Sequence, residues 1–448
     1  MKNFRNILFG LQIMLFIRLA DCRVMIAQEK TWTLDECMRY AVENSLQSAR
    51  QKAQNEIYRQ TYREAVGSML PSLNANVNLS ANFGRGVDPE TNGYISISTL
   101  GNNYDVYSSV TLFDGLYRFS AAKMHRLNQL KGDRQLQHIE DMLALETMEL
   151  FFNVLYYKGA MVLARQQLDE STTNLRQAQR MEELGMKSVS DVAEMAAKEA
   201  EDRYNLTRQT NLLHLEAIRL KEKMNFPTDQ ALDIADTDTS RVCPLPVFIP
   251  DVGGAALLLP RSLAAAKDVE ARRMELKSAK GRSFPTLSLN GGFNTGFARL
   301  MDNSGFTPFS QQLRNKWGYY VSASLRVPIF NGFSQSANIL RGKQNVIIAE
   351  NEYNAALRAA SGEIEQAVAD VNGLAEEHIQ STKKAQAMEI AQRVNQRKYE
   401  EGIISALELN TGANRLLQAR VEQLYIGLKY KLKSRLTAYY QGESFFDN

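Results

Sequence analysis

The chain has 448 residues, of which 44% are hydrophobic and 23% charged, and its net charge is +3 at pH 7. These values are typical of a folded protein, and so small a net charge predicts neither nucleic acid nor a strongly acidic partner. Long stretches of Ala, Gln, Glu, Lys, Leu and Arg, together with a low mean hydropathy, indicate extended helices.

Residues 1–27 read as a secretory signal peptide. A basic start at Lys2 is followed by an apolar run and a small-residue exit. An N-terminal anchor is the alternative, although Arg18 makes the apolar run too short to span a bilayer. Cys22 resembles a lipoprotein cleavage box only in part, because Asp21 stands where a small residue is expected.

Two cysteines, Cys37 and Cys243, remain if the signal is removed. They pair in an oxidising compartment or are simply buried thiols, and two cysteines do not make a disulfide scaffold. After the signal no run of about 18 apolar residues exists, so the sequence predicts no membrane-spanning helix.

A helix is predicted from the cap at Thr33, with Glu36 three residues on, to about Val66. Residues 73–83 then alternate strictly, with apolar side chains at odd positions and Asn or Ser at even ones. Eleven residues match the ~9–11 that a tilted strand needs to cross a bilayer. We interpret the segment as a transmembrane barrel strand, and a strand of a soluble sheet is the alternative.

Three further stretches alternate in the same way, at residues 104–112, 287–297 and 319–327. Aromatic residues cluster near the predicted strand ends, as they do in interfacial girdles. The segments between the paired strands, residues 84–103 and 298–315, are rich in Gly, Asn and Ser. They are predicted to be outward loops.

The second half of the chain repeats the first. Phe113-Asp114-Gly115 is matched by Phe330-Asn331-Gly332, and each motif lies 72 residues before a glycine turn, at Gly185 and Gly402. Pro71 and Pro285 precede the first strand of each half. The repeated unit is therefore one strand pair followed by one long helical hairpin.

Long helices are predicted over 115–184, 191–225, 334–401 and 407–440, which contain no proline. In the first two, apolar residues recur every seven positions, at Val154, Met161, Leu168 and Leu175 and at Leu206, Leu213 and Leu220. A helix of ~70 residues is roughly 100 Å long. In each turn a serine, Ser188 or Ser405, precedes an acid by three residues and is expected to cap the returning helix. The glycine of each turn supplies a left-handed residue that closes the arriving helix.

Four strands cannot close a barrel, since about eight is the smallest number that fills its own interior. A dimer would give eight strands and a plugged interior, whereas a trimer would give twelve strands and a lumen. The Asn and Ser face favours water inside and therefore the trimer. The predicted fold is an α+β membrane protein, a homotrimer with a 12-stranded β-barrel continued by an α-helical tunnel.

The domain organisation follows from these elements. It comprises a signal peptide (1–27), an N-terminal periplasmic helix (28–70), transmembrane hairpin 1 (71–114), long helical hairpin 1 (115–226), an equatorial connector (227–255), the helix of repeat 2 (256–284), transmembrane hairpin 2 (285–331), long helical hairpin 2 (332–440) and a C-terminal tail (441–448).

The order and spacing of these motifs resemble the TolC-type outer-membrane efflux proteins. The resemblance includes Leu325-x-x-Pro328-Ile329-Phe330-Asn331-Gly332 after the last strand and Ala256-Leu-Leu-Leu-Pro260-Arg261 at the start of the second repeat. It covers nearly everything from Thr33 to Tyr440. The first repeat departs from the pattern, because Thr111 stands where the second has Pro328.

The resemblance implies an outer-membrane channel of a Gram-negative bacterium that extends into the periplasm. It implies contact with outer-membrane lipid, a periplasmic adaptor (membrane fusion) protein and an inner-membrane pump. By position it assigns adaptor contact at the periplasmic tip to Leu184, Gly185, Met186, Ser190 and Gly402. It assigns a gate to Asp191, Tyr399 and Glu408, and a barrel-to-tunnel junction to Phe113, Gly115, Phe330 and Gly332.

No catalytic, cofactor-binding or metal site is predicted. The four histidines lie far apart on predicted helices, and the chain has no nucleophile elbow or phosphate loop. A passive export duct is the leading functional hypothesis. A non-conducting coiled-coil structural or adhesive surface protein is the alternative, and a soluble helical scaffold would require the four alternating strands to be accidental.

Overall fold

The computed structural model describes residues 31–87, 93–235, 247–249, 251–301 and 307–446. Its strands are β1 (Thr31–Trp32), β2 (Ser72–Val87), β3 (Tyr94–Phe113), β4 (Asp233–Ile234), β5 (Thr286–Leu300) and β6 (Gly318–Arg326). Its helices are α1 (Leu34–Asn44), α2 (Leu46–Gly67), α3 (Tyr117–Glu183), α4 (Val189–Met224), α5 (Val252–Leu258), α6 (Pro260–Gly281), α7 (Phe309–Asn315), α8 (Ser334–Glu400) and α9 (Ala406–Tyr440).

Two units with the same order of elements make up most of the chain. The first contains α2, β2, β3, α3 and α4, and the second contains α6, β5, β6, α8 and α9. The long helices α3 and α8 each have 67 residues, and the returning helices α4 and α9 have 36 and 35. The predicted internal repeat of a strand pair and a long helical hairpin is therefore confirmed.

The four long strands form one antiparallel sheet in the order β2-β3-β5-β6. The two hairpins are thus joined through β3 and β5, one strand from each repeat. The register pairs Leu289 with Val110 on one side and with Ala323 on the other, and it pairs Asn290 with Ser109 and Ser322. Apolar positions of all four strands therefore share one face of the sheet, and Asn and Ser positions share the other.

The strands of the first hairpin are longer than predicted. β2 has 16 residues and β3 has 20, so both extend into segment 84–103, which the sequence analysis assigned to a loop. That assignment was wrong because it relied on composition. Gly101, Asn102 and Asn103 pair with both neighbouring strands. The alternation of Ile and Ser over residues 95–98 is the period-two signal that was overlooked.

The second predicted loop, 298–315, is also partly ordered. β5 continues to Leu300, and α7 occupies residues 309–315. The α7 side chain Gln312 accepts a hydrogen bond from the backbone N–H of Ala298 at 3.2 Å. Since β6 pairs with β5 only as far as Asn294, α7 takes over a backbone donor of β5 beyond the end of β6.

The N-terminal helix is broken, whereas the sequence predicted one helix from Thr33 to Val66. Thr33 and Glu36 form the expected reciprocal capping box at the start of α1. Ser45 then has an extended backbone, and its hydroxyl accepts hydrogen bonds from the N–H groups of Gln47 and Ser48. Ser45 therefore ends α1 and starts α2, and serine at this position competes with the continuing helix.

The connector between the repeats is tied back to the start of the described chain. Within the predicted connector, β4 pairs in parallel with β1, with Trp32 opposite Ile234. Asp251 caps α5 by accepting a hydrogen bond from the N–H of Gly254 at 2.7 Å. α6 follows at once, because Pro260 occupies the first turn of a helix, where its missing N–H has no cost.

The largest core lies where α1, the middle of α3 and the ends of α4 and α9 meet. Its fully buried members include Cys37, Met38, Met148, Leu220 and Met224. The predicted heptad positions are buried or half-buried, as knobs-into-holes packing requires. Among the residues that the structure describes, no helix is both long and apolar enough to cross a membrane. Cys22 and Cys243, named in the sequence analysis, lie outside these residues.

Candidate functional site

The two turns at the ends of the long helices have the same backbone. In the first, Gly185 has φ +71°, and Met186 N–H donates to the carbonyl of Met181 at 2.8 Å. In the second, Gly402 has φ +74°, and Ile403 N–H donates to Lys398 at 2.8 Å. Both are Schellman-type endings, in which glycine adopts the left-handed conformation and orphan carbonyls of the helix are satisfied.

The caps of the returning helices differ between the two turns. Ser188 and Asp191 form a complete capping box, because the serine hydroxyl accepts from Asp191 N–H at 3.2 Å and the Asp191 carboxylate accepts from Ser188 N–H at 3.2 Å. The serine hydroxyl also donates to that carboxylate at 2.8 Å. These hydrogen bonds hold the pKa of Asp191 below its usual value. At the second turn Ser405 accepts from Glu408 N–H at 3.2 Å, and only the serine half of a box is described there.

Apolar side chains surround both turns and are exposed in the single chain. We call this set the tip patch: Leu184, Met186, Val189, Ile403 and Leu407. A monomeric soluble protein seldom exposes so many large apolar residues in contiguous turns. Of the residues predicted to contact an adaptor, Leu184 and Met186 belong to the patch, Gly185 and Gly402 shape its turns, and Ser190 lies in the first turn of α4.

Tyr399 ties the second hairpin to the first near these turns. Its side chain is only 1% exposed and packs with Ala178 and Met195 of the first hairpin. The ammonium of Lys187 lies 4.2 Å from the centre of its ring, within cation–π range. Burial, followed by the charges of Asp191 and Glu194, raises the pKa of the tyrosine hydroxyl.

The Tyr399 hydroxyl has no hydrogen-bond partner among the described residues, although it is buried. An unsatisfied buried hydroxyl costs about 1–3 kcal/mol. The structure thus brings two of the predicted gate residues, Tyr399 and Asp191, into the same region but does not bond them to each other. Glu408, the third, is exposed at the start of α9.

A buried ion pair lies on α4, about three to four turns beyond its cap. Lys198 and Asp202 are 5% and 1% exposed, and the ammonium lies 2.5 Å from the carboxylate. The second oxygen of Asp202 has no partner among the described residues. This pair was not predicted from the sequence. Its signal is the spacing of Met195, Lys198 and Asp202, which places both charges on the buried stripe of the helix.

The Phe-Asp/Asn-Gly motifs lie where the sheet gives way to the long helices. Asp114 accepts from Arg118 N–H at 3.3 Å, and Asn331 accepts from Gln335 N–H at 3.4 Å, so both side chains satisfy donors of a first helical turn. Phe113 is the last residue of β3, whereas β6 ends at Arg326, before Phe330. Pro328 accounts for this difference, since it cannot donate to a strand ladder.

The glycines of the two motifs have the same backbone but different surroundings. Gly115 and Gly332 have φ +67° and +62°. A Cβ on Gly115 would overlap the carbonyl oxygen of Gly281 and lie 2.7 Å from the Cβ of Phe284. A Cβ on Gly332 would meet nothing within 4 Å. Gly67, which corresponds to Gly281 in the first repeat, is equally open.

The fold therefore combines one four-stranded antiparallel sheet, apolar on one face, with two long helical hairpins whose turns carry exposed apolar residues. The sequence profile of the outer membrane efflux proteins matches residues 256–441, a range that contains the second repeat from α6 to α9. This match confirms the resemblance predicted from the sequence. No curated protein matches the sequence.

Solved structures extend the similarity to nearly the whole chain. The fold is similar to that of CusC, with a TM-score of 0.78, 16% identity and 92% of each chain covered. It is also similar to the outer membrane protein VceC of Vibrio cholerae, with a TM-score of 0.79, 13% identity, and 92% of this chain and 96% of that chain covered. The open-state MtrE outer membrane channel of Neisseria gonorrhoeae is similar with a TM-score of 0.75 and 18% identity, and 92% of this chain and 89% of that chain are covered.

Proposed function

We propose that this protein is the outer-membrane exit duct of a tripartite efflux or type I secretion system, formed by three copies of the chain around one axis. The trimer passively conducts substrates from an inner-membrane pump across the periplasm and the outer membrane. One observation carries the proposal: the chain contains two copies of one structural unit. Within the described residues, one side of the first unit packs against the second unit. The equivalent contact, between the other side of the second unit and a first unit, is left for another copy of the chain to make.

The sheet has two open edges, β2 and β6, while β3 and β5 join the repeats. In lipid, each unpaired backbone group costs several kcal/mol, so β6 pairs with β2 of a second copy. The repeat offsets are 214 residues from Pro71 to Pro285 and 217 from Phe113 to Phe330. In the β3–β5 register Ser108 pairs with Gly291. The corresponding residues of the open edges are Leu325 of β6 and Val77 of β2, so Leu325 is expected to lie opposite Val77 of the next copy, with both side chains on the apolar face.

The junction glycines support the same arrangement. Gly115 packs on Gly281 within the chain, and the corresponding pair, Gly332 and Gly67, is open on both sides. By analogy with the first pair, Gly332 of one copy is expected to pack against Gly67 of the next. This contact closes the ring just below the barrel.

The helices follow the same rule. Within the chain α6 packs against both α3 and α8. Its counterpart α2 packs against α3 and is left to meet α8 of the neighbouring copy. Exposed apolar residues lie on both surfaces, with Ile57 on α2 and Leu340, Ile347 and Ile348 on α8. Their burial between copies would remove this apolar surface from water.

Three copies fit the chemistry of the sheet better than two. Two copies give eight strands, whose interior is filled by side chains, whereas twelve strands leave a lumen. The face opposite the apolar one carries small polar residues such as Asn74, Asn76, Ser288 and Asn290, which suit a water-filled interior.

The length of the helices indicates where the duct ends. A helix of 67 residues is roughly 100 Å long. With the barrel in the outer membrane and Phe113, Gly115, Phe330 and Gly332 at its periplasmic face, the tips reach deep into the periplasm. There the tip patch, together with Gly185, Ser190 and Gly402, contacts the hairpins of a periplasmic adaptor, and the adaptor links the duct to the inner-membrane pump.

The gate belongs to the same end of the molecule. Asp191, Tyr399 and Glu408 hold the tip closed, and three copies of Glu408 around a narrow axis attract cations. The packing of Tyr399 supports this role, because its buried ring contacts Ala178 and Met195 and so holds the second hairpin against the first near the turns.

Cysteine cross-linking tests the assembly. Leu325→Cys with Val77→Cys, in a background lacking the native cysteines, is expected to form disulfide-linked dimers and trimers, since facing residues of paired strands have Cβ atoms about 4.5–5.5 Å apart. Leu325→Cys with Phe83→Cys is the control, because Phe83 lies roughly 20 Å further along the strand. Equal cross-linking in both variants, or none in either, would reject the proposed register.

Planar-bilayer conductance tests the function and the gate. The purified protein is expected to conduct ions in discrete steps, and Tyr399→Phe and Asp191→Ala are expected to raise the conductance of the closed form. Unchanged conductance in both variants would remove the gate assignment while leaving the duct intact. A correctly inserted trimer that conducts nothing would favour the alternative, a non-conducting coiled-coil structural or adhesive protein.

A further inference from the structure

A pocket of about 540 Å³ lies between α3, α6 and α8, at the end of the sheet that continues into the long helices. α6 packs against both of the other helices. Its C-cap residue Arg282, four residues before β5, lines the pocket together with Tyr117 of α3 and Arg341 of α8. Pockets of this size accommodate small molecules. Because all three helices belong to one chain, the pocket forms without a second copy.

The two arginines of the pocket are held by neutral partners. The guanidinium of Arg282 donates a hydrogen bond to the Tyr117 hydroxyl, and its central carbon lies 4.3 Å from the centre of the same ring. The guanidinium of Arg341 donates to the side-chain oxygen of Asn338, which also lines the pocket. Among the described residues, neither arginine has a carboxylate partner. Because a guanidinium carries five N–H donors, most donors of both side chains are left for a ligand.

The acids near the pocket do not neutralise these arginines. Glu275 is the one carboxylate among the described lining residues, and it lies 2.9 Å from the guanidinium of Arg272, so its charge is already matched. The helix segments that border the pocket, residues 117–132, 276–281 and 334–349, are all described and contain no Asp or Glu. The pocket is therefore a concave surface with two positive charges that the surrounding helices leave unmatched.

The repeated fold does not require either arginine. The repeat offsets of 214 and 217 residues assign Ser68 to the position of Arg282 and Met124 to that of Arg341. Both counterparts are uncharged, although they occupy the same places relative to the sheet and the long helix. The first repeat thus builds the same junction without a cation at either position, so the two arginines serve something other than the fold.

The pocket also lies away from the surface that the proposed trimer would bury. On α8 it is lined by Asn338 and Asn345, whereas the exposed apolar residues Leu340 and Ile347 lie on roughly the opposite side of the helix. A second copy that covers Leu340 and Ile347 therefore leaves the pocket side of α8 open.

We propose that this pocket binds a phosphate group, with Arg282 and Arg341 donating hydrogen bonds to its oxygens. Arginine suits the role because its planar guanidinium presents paired donors to phosphate. Since α6 leads directly into β5, the pocket of the proposed duct lies level with the inner-leaflet headgroups, and either a lipid headgroup or a soluble anion can supply the phosphate. The inference goes beyond the duct, because the pocket needs only one folded chain.

Binding to the assembled full-length protein in a neutral detergent tests the proposal, with two probes: radiolabelled inorganic phosphate and dioctanoyl phosphatidic acid. Arg282→Gln and Arg341→Gln are each expected to weaken binding of the tighter probe by about 10-fold, the effect of one hydrogen bond to a charged group. Lys280→Gln is the matched control, because it removes the same charge from α6, but Lys280 is exposed and turned roughly 200° around the helix from Arg282. It is expected to bind as the wild type does.

The two probes distinguish the sources of the phosphate. Tighter binding of phosphatidic acid than of inorganic phosphate would assign a lipid headgroup, and equal binding of the two would assign a soluble anion. Dioctanoylglycerol, which has the same acyl chains without the phosphate, is expected not to compete.

Three results would overturn the proposal: no binding of either probe by the wild type, unchanged binding by the Arg282→Gln, Arg341→Gln double variant, or equal binding of phosphatidic acid and dioctanoylglycerol. Planar-bilayer conductance separates this failure from that of the duct. A wild type that conducts but binds neither probe would remove the phosphate site alone. One that binds phosphate but conducts nothing would remove the duct alone.

Discussion

Equivalent positions in the two repeats have the same backbone but different neighbours. Gly115 is packed against the end of α6, while Gly332 is open. The positions that correspond to the buried Lys198 and Asp202 are an exposed arginine, Arg415, and a fully buried alanine, Ala419. In the proposed trimer, some of these differences mark surfaces that another copy completes, and others mark chemistry that only the first hairpin has. Mutations at matched positions separate the two kinds.

The largest expected effect is on the buried ion pair. Lys198→Met leaves the Asp202 carboxylate buried without its counter-ion, which costs about 3–5 kcal/mol in the free energy of unfolding. Urea unfolding of the detergent-solubilised protein measures it. Lys198→Met with Asp202→Leu should recover most of the loss, because replacing a buried pair by apolar residues is often neutral or stabilising.

The second hairpin provides the control for the ion pair. Arg415→Met changes a charge at the corresponding but exposed position and is expected to alter stability by less than about 0.5 kcal/mol. If Lys198→Met with Asp202→Leu were as unstable as Lys198→Met alone, the two side chains would stabilise the fold by something other than neutralising each other's charge.

The junction glycines give the next effect. Gly115→Ala forces an alanine into the left-handed region, at about 1–2 kcal/mol, and drives its Cβ into Gly281, at about 1–3 kcal/mol more. Gly332→Ala has the first cost but meets no neighbour within the chain. We expect Gly115→Ala to reduce the yield of folded chain, and Gly332→Ala to reduce the trimer fraction on size-exclusion chromatography more than it reduces folding.

Gly362→Ala is the control for both glycine variants. Gly362 lies within α8, with a helical backbone and open space around it, so alanine there is expected to stabilise the helix by up to about 1 kcal/mol. If Gly332→Ala left the trimer fraction unchanged, the contact with Gly67 of a second copy would be wrong.

These positions also show how far the sequence could be interpreted. The repeat, the alternating faces and the glycine turns were predictable because each depends on local periodicity or on a backbone that glycine favours. The open state of Gly332 was not, because it depends on what lies beside it rather than on its own motif. The buried Lys198–Asp202 pair was missed for a similar reason, since charge at a helical position is usually exposed.

A third effect depends on pH. The side chain of Asp141 on α3 accepts a hydrogen bond from the hydroxyl of Tyr439 on α9 at 2.7 Å. Burial is the main cause that raises the pKa of Asp141 to about 6. Because the folded pKa lies above the unfolded value, the folded state gains stability as pH falls from about 6 to about 4, by roughly 2–3 kcal/mol.

Asp141→Asn should remove that dependence. Asparagine accepts the same hydrogen bond without a charge, so the variant is expected to be more stable than the wild type at pH 7.5 and nearly equal at pH 4. Asp169→Asn, at an exposed position of the same helix, is the control. The second repeat has the exposed Arg358 at the position that corresponds to Asp141, so the effect is specific to the first. A pH profile parallel to that of the wild type would contradict the assignment.

The smallest effect distinguishes the two caps at the tip. Ser188→Ala removes the hydroxyl from a complete capping box, and the expected loss is about 1–2 kcal/mol. Ser405→Ala removes a cap that is not reciprocated, and the expected loss is about 0.5–1 kcal/mol. Hydrogen exchange at the first turns of α4 and α9 measures each change locally. Faster exchange in α4 than in α9 is expected, and the reverse order would show that contacts of the tip patch, rather than the caps, hold the turns.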